Sequence, residues 1–412
     1  MHILYLTDAI PPWSSGGSGK RIWSLCAELA RQGSRVTVVA TVESKKDVGV
    51  TTRDGVNITL LYSKYHRGLR AYMSVYNPWL ISKIKKIITA ERPDIVHADN
   101  IHAHISYAVL KTAKRMGART LITLRDAMSI AYGKIYPKTP VCGAVVAKRS
   151  WADNIRQARK RFNPFRNILI RRYIRFADVS IAVSGALRKI LEVNRVRVDE
   201  VLHDGVEDHP LDLSDKDKKE VLHTYGLENS RIIFLPGRLD YAKGVFTAIE
   251  SLRGVLSAVP RARLVFAGVS GDERKKFTAY ARELGVYDHV TMAPWIDGRE
   301  LAALYACADV VISPSLCFDM FPGVNLEAAL YKKPAISGCF GGAQEFITHG
   351  KTGLIINPYH GDELSTAIVR VLTHEDEAHA WGRAAYERVR GEFSISKETE
   401  KLVSIYRRLT AV

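Results

Sequence analysis

The chain has 412 residues, of which 47% are hydrophobic and 25% are charged. This length is too great for one compact core and predicts two domains of about 200 residues each. The hydrophobic fraction excludes a disordered chain, and no apolar run reaches the roughly 20 residues that a membrane-spanning helix needs. The five cysteines are scattered and odd in number, which favours reduced thiols in a cytoplasm over a disulfide framework or a zinc site.

The net charge of +17 is unevenly distributed along the chain. Residues 1–205 carry 35 Lys and Arg against 15 Asp and Glu, whereas the remainder is slightly acidic. A field of this kind indicates that the first half meets an anionic partner. Charge alone would also allow a nucleic-acid binder, but no segment resembles a nucleic-acid recognition module, so we expect no nucleic-acid partner.

Short apolar runs alternate with amphipathic segments along the whole chain, a pattern typical of parallel α/β sheets. In the first half we predict strands near residues 3–6, 36–40, 95–97, 120–124 and 179–183. In the second half we predict strands near 232–235, 264–267, 290–292, 310–313, 335–337 and 354–356, and helices near 362–373, 376–391 and 395–410. The predicted domains are 1–205 and 206–394, with the helix of 395–412 packing back on the first. Ligands of open α/β sheets bind at the carboxyl ends of the strands, so we expect the site there.

One candidate binding loop is the segment 236–244, which follows a buried strand and precedes an amphipathic helix. It carries two cations, Arg238 and Lys243, beside a helix N-terminus. A diphosphate is bound well by a bidentate guanidinium, a point-charge ammonium and exposed backbone N–H groups. The alternative is that both are surface cations flanking a loop.

A second candidate loop, residues 314–327, has the same strand–loop–helix order. Asp319 and Glu327 lie eight residues apart, and two carboxylates in a cleft can hold the paired hydroxyls of a ribose or a hexose. The alternatives are an ordinary loop carboxylate for Asp319 and a favourable charge near a helix N-terminus for Glu327.

A glycine-rich segment, residues 14–20, lies between the first strand and the first helix. Glycine allows a backbone to approach a phosphate closely, although a flexible turn is the alternative. The segment fails the Walker pattern because Ser14 and Arg21 stand at required positions, and it fails the dinucleotide fingerprint because Ile22 replaces the third glycine. A nucleotide triphosphatase and a nicotinamide enzyme are therefore disfavoured.

Taken together, these segments resemble the retaining glycosyltransferases of family 4, also called group 1, which have the GT-B fold. That fold consists of two Rossmann-like, doubly wound α/β domains that face a central cleft. The resemblance extends over essentially the whole chain and rests on segments in matching order and spacing: Gly16-Gly17, 94–97, 182–184, Gly205-Val206, Gly237-Arg238, Lys243-Gly244, Asp319 with Glu327-Ala328, 341–345 and 350–354.

The resemblance implies a nucleotide-diphosphate sugar as donor, with no cofactor and no metal. In this interpretation Arg238 and Lys243 bind the diphosphate and stabilise the departing nucleotide, while Glu327 accepts the ribose hydroxyls. Asp319, with Phe321, Gly323 and Val324, would contact the sugar and the α-phosphate. Gly17 would contact a phosphate from the opposite domain, and Trp295 with Ile296 would contact the base. The anomeric configuration would be retained, with catalysis by electrostatic stabilisation and positioning.

The chain departs from the family pattern at three places. Asp319 stands in place of a glutamate and is one methylene shorter, and Pro322 replaces a common glycine and so removes a backbone donor. Many relatives end the strand of 120–124 with a histidine near the sugar. Here Arg125 or Asp126 is expected to take over that contact, and a structural ion pair is the alternative for Arg125.

Residues 148–176 contain ten Lys and Arg and one acid, with apolar side chains interleaved. This composition predicts a basic amphipathic helix that could lie on an anionic leaflet, and a solvated helix face is the alternative. Because the first domain holds the acceptor in the resembled family, we hypothesise a lipid-linked or otherwise anionic glycan acceptor. The protein would then be cytoplasmic and peripheral on the inner face of the membrane.

Two further functions share the predicted fold. A nucleotide-sugar epimerase would release an epimerised sugar without any acceptor. A catalytically silent relative would bind the nucleotide sugar but not transfer it, and the three departures from the family pattern favour that alternative.

Overall fold

The structure is a computed structural model that describes residues 1–14, 16–143 and 148–411. The chain divides into two compact units. The first comprises Met1–Ile135, Val146–Gly205 and Ile395–Val412, and the second comprises Tyr136–Val145 and Val206–Ser394. Each unit is built on a largely or wholly parallel sheet, which confirms the predicted α/β class.

The first unit contains an eight-stranded sheet in the order β3-β4-β2-β1-β5-β6-β7-β8. Its strands are β1 (His2–Leu6), β2 (Arg35–Val42), β3 (Gly49–Arg53), β4 (Val56–Tyr62), β5 (Ile95–Asp99), β6 (Arg119–Leu124), β7 (Val179–Ala182) and β8 (Glu200–Val201). Its helices are α1 (Gly17–Arg31), α2 (Arg70–Met73), α3 (Pro78–Glu91), α4 (Ala108–Arg115), α5 (Trp151–Ala158), α6 (Arg166–Ile174) and α7 (Gly185–Val193).

The sheet of the first unit differs from the prediction at three strands. β3 and β4 form an antiparallel hairpin, and β4 continues the parallel sheet beside β2. The sequence signal missed β3 because nearly all of its residues are exposed, so it contains no apolar run. The two-residue strand β8 is too short to produce any periodicity.

The second unit contains a six-stranded sheet in the order β11-β10-β9-β12-β13-β14, and every neighbouring pair is parallel. Its strands are β9 (Arg231–Pro236), β10 (Ala262–Ala267), β11 (Val290–Ala293), β12 (Val310–Ser313), β13 (Ala335–Gly338) and β14 (Gly353–Ile356). Its helices are α8 (Asp215–Tyr225), α9 (Val245–Ala258), α10 (Gly271–Glu283), α11 (Gly298–Cys307), α12 (Gly323–Leu330), α13 (Ala343–Phe346), α14 (Gly361–Thr373) and α15 (Glu375–Glu392).

Both faces of the second sheet are covered by helices, as the alternation along β9 illustrates. Ile233 and Leu235 belong to one hydrophobic cluster, and Ile232 and Phe234 belong to another. Successive side chains of a strand point to opposite faces, so the two clusters lie on the two sides of the sheet. Strands buried on both faces read as continuous apolar runs, which explains why the sequence revealed them.

The last helix, α16 (Ile395–Thr410), lies in the first unit. Leu402 and Tyr406 share a hydrophobic cluster with Ile22 of α1. The hydroxyl of Tyr406 lies 2.6 Å from Nδ1 of the buried His97 on β5. The helix is therefore attached to the first unit by apolar burial and by a buried polar contact.

Residues 148–176 do not form the single amphipathic helix that the sequence predicted. Helices α5 and α6 are separated by a turn of 3-10 helix at Arg159–Arg161, and Arg159 has a positive φ of 51°. Arg166 is buried rather than exposed, and its guanidinium donates to the carbonyls of Ala131 and Met128. No helix of the described residues is both long and apolar enough to cross a bilayer.

The prediction of reduced thiols is wrong for one pair of cysteines. Cys142 and Cys339 form a disulfide with Cα atoms 5.5 Å apart, while Cys26, Cys307 and Cys317 are not disulfide-bonded. The two partners are 197 residues apart in sequence, so no local spacing pattern could have revealed their pairing.

The segment around Cys142 lies in the second unit, although the sequence placed it in the first domain. The rings of Tyr136 and Tyr241 have centroids 6.4 Å apart, and Asn357 donates to the carbonyl of Pro140 at 2.7 Å. The segment is thus held to this unit by an aromatic contact, a hydrogen bond and a disulfide.

Candidate functional site

The candidate site of the second unit is built from loops at the carboxyl ends of neighbouring strands. The loop after β9 leads through Arg238 and a short 3-10 helix, Tyr241–Lys243, into α9. The loop after β12 leads through Asp319 into α12. The two loops are joined by a hydrogen bond of 2.9 Å from the amide of Leu316 to the carbonyl of Ala242.

Gly244 allows these two loops to approach each other. Its φ is 72°, and a Cβ at this position would collide with the carbonyl oxygen of Pro314. Only glycine satisfies both the left-handed conformation and the close approach. This close approach places Lys243 beside the loop after β12.

Lys243 and Asp319, two of the predicted site residues, are in direct contact. Nζ of Lys243 lies 2.5 Å from Oδ2 of Asp319, and the hydroxyl of Ser315 donates to the same oxygen at 3.0 Å. Burial by itself would lower the pKa of Lys243, but the Asp319 carboxylate outweighs burial and holds that pKa above its usual value. The Lys243 side chain remains 33% exposed, so a ligand can reach it.

Asp319 is also fixed through its backbone. Its amide donates to the carbonyl of Phe340 at 3.0 Å, and its carbonyl accepts from the amide of Gly342 at 2.9 Å. Gly341, between them, has a φ of 114° and leaves no room for a Cβ against the Asp319 backbone. The loops after β12 and β13 therefore form one rigid support for the carboxylate.

Helix α12 is anchored by a polar network that sequence reasoning missed. The hydroxyl of Ser313 donates to Oδ1 of Asn325 at 3.0 Å and lies 2.8 Å from the hydroxyl of Ser337. All three side chains are buried, so the network ties α12 to β12 and β13. A serine at the end of each of two neighbouring strands was the available signal.

Glu327 lies in the second turn of α12, which begins at Gly323. The hydroxyl of Tyr305 donates to Oε2 of Glu327 at 2.6 Å, and the Tyr305 ring stacks on Tyr331 with centroids 5.9 Å apart. This carboxylate is therefore oriented from one side by a tyrosine. Its predicted contact with ribose hydroxyls stays a prediction.

Arg238 is exposed and forms no ion pair within the described residues. The preceding Gly237 packs against Gly268, the residue after β10, where a Cβ would collide with the Gly237 carbonyl. Trp295, after β11, lies against the same glycine, 3.4 Å from the Cβ position. Arg238 and Trp295 thus both lie at the edge of the second sheet where its parallel strands have their carboxyl ends.

The remaining predicted donor contacts are partly buried. Ile296 packs on one hydrophobic cluster of the second unit, and the ring of Phe321 stacks on Phe393 with centroids 5.9 Å apart. Gly323 and Val324 form the first turn of α12, which has Pro322 as its N-cap. The loop at 321–324 is therefore positioned by apolar packing on one side.

In the first unit, Gly17 is the first residue of α1 and is exposed, and its N-cap Gly16 supplies no side-chain hydrogen bond. Ser15, within the glycine-rich segment, lies outside the described residues. A Cβ at Gly17 would meet nothing within 4 Å, so close packing does not account for this glycine. Its predicted phosphate contact stays a prediction.

Arg125 is buried in an ion-pair network. Its guanidinium donates to both carboxylate oxygens of Asp99, at 2.8 and 2.9 Å, and also to Asp204. Burial raises the pKa of Asp99, although the adjacent Arg125 opposes that rise. The neighbouring Asp126 is partly exposed and lies 3.7 Å from the imidazole of His102. The structural ion pair accounts for Arg125 without any ligand, and a sugar contact at either residue stays a prediction.

No cluster of three or more metal-ligating side chains occurs in the part of the chain that the structure describes. The site instead combines one ion pair, one exposed guanidinium and a half-buried carboxylate on a single sheet edge. Such an arrangement offers cations for an anionic group and carboxylates for hydroxyl groups.

Two family models match the chain on adjacent ranges. The model described as "Glycosyl transferases group 1" matches residues 217–388, and the model described as "Glycosyltransferase Family 4" matches residues 15–209. The first range contains the Lys243–Asp319 pair, and the second contains Gly17 and Arg125.

Curated relatives agree with these matches. The chain is 25% identical over 389 residues to an uncharacterized glycosyltransferase of Methanocaldococcus jannaschii, covering 94% of this chain and 91% of that protein. It is 30% identical over 198 residues to a GDP-mannose-dependent alpha-(1-6)-phosphatidylinositol monomannoside mannosyltransferase of Mycobacterium tuberculosis, covering 46% of this chain and 51% of that protein. For several of the curated relatives that it matches, the chain spans about half of their length.

Solved structures show the same fold. A sucrose-phosphate synthase from Thermosynechococcus elongatus superposes with a TM-score of 0.76 at 19% identity, covering 100% of this chain and 99% of that one. HepE from Anabaena in complex with UDP-glucose gives a TM-score of 0.71 at 16% identity, covering 99% and 100%. The two family models together span most of the chain and the fold agrees with them, so this chain belongs to the group 1 glycosyltransferases of family 4, with the GT-B fold.

Proposed function

We propose that the protein transfers a sugar from a nucleotide-diphosphate sugar to an acceptor with retention of anomeric configuration, and that it requires no metal. The observation that carries this proposal is the Lys243–Asp319 ion pair on the same sheet edge as the exposed Arg238. Two cations at the carboxyl ends of parallel strands suit a diphosphate, as general α/β geometry leads one to expect.

In the proposed reaction, the bond from the anomeric carbon to the diphosphate oxygen breaks and a bond to the acceptor oxygen forms. Negative charge develops on the departing nucleotide diphosphate, where Arg238 offers a bidentate donor and Lys243 offers a point charge. Asp319 holds Lys243 in place before the donor arrives, and Glu327 would accept hydrogen bonds from the ribose. The acceptor proton would pass to the leaving phosphate.

The experiment that tests this proposal is calorimetric titration of UDP, GDP and ADP in the presence of a chelator. We expect one nucleotide to bind, and Arg238→Ala to weaken that binding at least tenfold, or about 1.4 kcal/mol. Arg253→Ala removes an exposed arginine of α9 and serves as the matched control. Loss of binding on chelation would refute metal independence, and an inverted product anomer would refute retention.

We further propose that the acceptor is a lipid-linked or anionic glycan, met at an anionic membrane surface by the first unit. In residues 148–176, Trp151 is 60% exposed and Phe165 is 65% exposed, among arginines and lysines. Aromatic side chains beside cations suit the interface of an anionic bilayer. The mycobacterial relative, which is named as a phosphatidylinositol monomannoside mannosyltransferase, supports a lipid acceptor.

Co-sedimentation with liposomes tests the membrane proposal. We expect binding to vesicles with anionic lipid and none to neutral vesicles, and no binding to either would refute it. The cytoplasmic location stays a prediction. The Cys142–Cys339 disulfide argues against it, because disulfides are typical of oxidising compartments.

A further inference from the structure

The first unit contains a cavity of about 70 Å³ between α5, α6 and the end of α7. Its walls include the rings of Tyr132, Trp151 and Phe162, and the polar side chains of Arg149, Asn154 and Arg171. The cavity has room for several water molecules or for a group the size of a phosphate. None of these residues belongs to the nucleotide-sugar site proposed above.

Two residues that line this cavity each carry a buried polar atom with no partner in the described residues. Both atoms are buried: Oδ1 of Asn154 accepts no hydrogen bond, and Nε of Arg149 donates none. Asn154 is only 8% exposed, so bulk water does not solvate its amide. Buried polar groups nearly always find partners, and orphaned ones at a cavity indicate a bound group that completes them.

The guanidinium of Arg149 is held in a fixed orientation. Its Nη2 donates to the carbonyl of Asp153 at 3.1 Å and to Oε1 of Gln157 at 3.0 Å. Its backbone amide donates to Oδ1 of Asn194 at 2.8 Å. Because the rest of the residue is anchored, the remaining Nε–H is a preorganised donor for an acceptor in the cavity.

The two arginines of the cavity differ in their charged neighbours: Arg149 has the acid Asp153 nearby, whereas those of Arg171 are arginines. Arg171 forms no ion pair within the described ranges. Burial, together with the neighbouring Arg195 and Arg175, lowers the pKa of Arg171. An anion would relieve this repulsion and would satisfy the Arg149 donor at the same time.

We propose that this cavity binds a phosphate ester that carries a free hydroxyl group. The phosphate oxygens would accept from Arg149 and Arg171, and the hydroxyl would donate to Oδ1 of Asn154. The phosphate would occupy the cavity, and the carbon skeleton would extend along the rings of Phe162 and the exposed Trp151. The same chemistry occurs in a soluble glycerol or sugar phosphate and in the glycerophosphate head of an anionic lipid, and the test separates the two sources.

Titration of glycerol 3-phosphate into the full chain tests the site at constant ionic strength. The titrations use the Arg238→Ala background, so that the proposed diphosphate site does not contribute. We expect Arg171→Gln to weaken binding at least tenfold. Arg172→Gln removes an exposed neighbour on the same helix and should change binding by less than twofold.

Methyl phosphate, which lacks a hydroxyl, should bind at least threefold more weakly than glycerol 3-phosphate. Equal binding of the two esters would overturn the assigned hydroxyl contact. Equal losses for Arg171→Gln and Arg172→Gln would overturn the site, because a diffuse positive surface would then explain binding. Absence of binding by the esters, combined with vesicle binding that Arg171→Gln leaves unchanged, would overturn it as well.

Vesicles of phosphatidylcholine with and without phosphatidylglycerol separate the two sources. Vesicle binding that Arg171→Gln abolishes and Arg172→Gln preserves would identify the lipid head group. Ester binding without any vesicle binding would identify a soluble phosphate ester. Nucleotide binding by the unsubstituted protein is measured separately, so a failure here differs from a failure of the proposed transferase function.

Discussion

Nζ of Lys243 lies 2.5 Å from Oδ2 of Asp319, across a sequence separation of 76 residues. The pair joins the loop after β9 to the loop after β12, and Gly244 and Gly341 provide the close backbone approaches on either side. In the absence of a sugar donor, the Asp319 carboxylate is therefore paired with the Lys243 ammonium that we propose binds the diphosphate.

Substitution of Asp319 separates the two roles of this pair. We expect Asp319→Asn to bind the nucleotide diphosphate several-fold more tightly, because Lys243 no longer has a competing anion. Lys243→Ala should bind it at least tenfold more weakly, or by about 1.4 kcal/mol. Calorimetry measures both, and Asp319→Glu, which keeps the charge, is the matched control. Weaker binding by Asp319→Asn would show instead that the carboxylate orients Lys243 for the ligand.

Arg125 is expected to contribute to stability. Arg125→Gln would leave Asp99 buried without its cation, which typically costs 3–5 kcal/mol. Arg35→Gln breaks the exposed pair with Glu91 and should cost about 0–1 kcal/mol. Urea unfolding of the two variants provides the comparison. A fully stable Arg125→Gln enzyme with a raised KM for the sugar donor would favour the sugar contact instead.

The Cys142–Cys339 disulfide should stabilise the second unit. Cys142→Ser removes a cross-link between distant parts of the sequence, and such losses typically cost 2–5 kcal/mol. Reductant should lower the urea midpoint of the wild type to that of the variant. Cys307→Ser, at a free cysteine, should change little. Coincident unfolding curves for the wild type and Cys142→Ser without reductant would contradict this prediction.

Glu398 should make stability depend on pH. Burial, followed by the neighbouring Asp204, raises the pKa of Glu398 to about 8. The folded state therefore keeps a proton that the unfolded state loses above pH 4.5, so stability falls as the pH rises from about 5 to 8. The slope contributed by one such group is at most about 1.4 kcal/mol per pH unit.

Glu398→Gln should remove this contribution, since an amide oxygen can still accept from the amide of Gly205. Melting temperatures between pH 5 and 9 provide the measurement. We expect the variant to show a flatter profile and to exceed the wild type in stability at pH 9. Parallel profiles for the two proteins would mean that Glu398 does not titrate in this range.

The amino-acid sequence by itself determined the α/β class, the order of the buried strands and the limits of the last helices. The predicted helices near 362–373, 376–391 and 395–410 match α14, α15 and α16 to within one residue. This follows because apolar runs and helical periodicity are local properties of a chain whose sheets are buried on both faces. The resemblance likewise pointed to Lys243 and Asp319, which the fold brings into contact.

Tertiary structure alone decided which distant groups meet. The Cys142–Cys339 bond, the placement of Arg125 between two carboxylates and the burial of Arg166 each depend on partners from other segments of the chain. The exposed strand β3 has no apolar pattern in the sequence, and it is a strand only through its antiparallel pairing with β4. The sequence shows which interactions each residue type can form, but burial and pairing are properties of the assembled core. There the cost of desolvation requires that buried charges have partners.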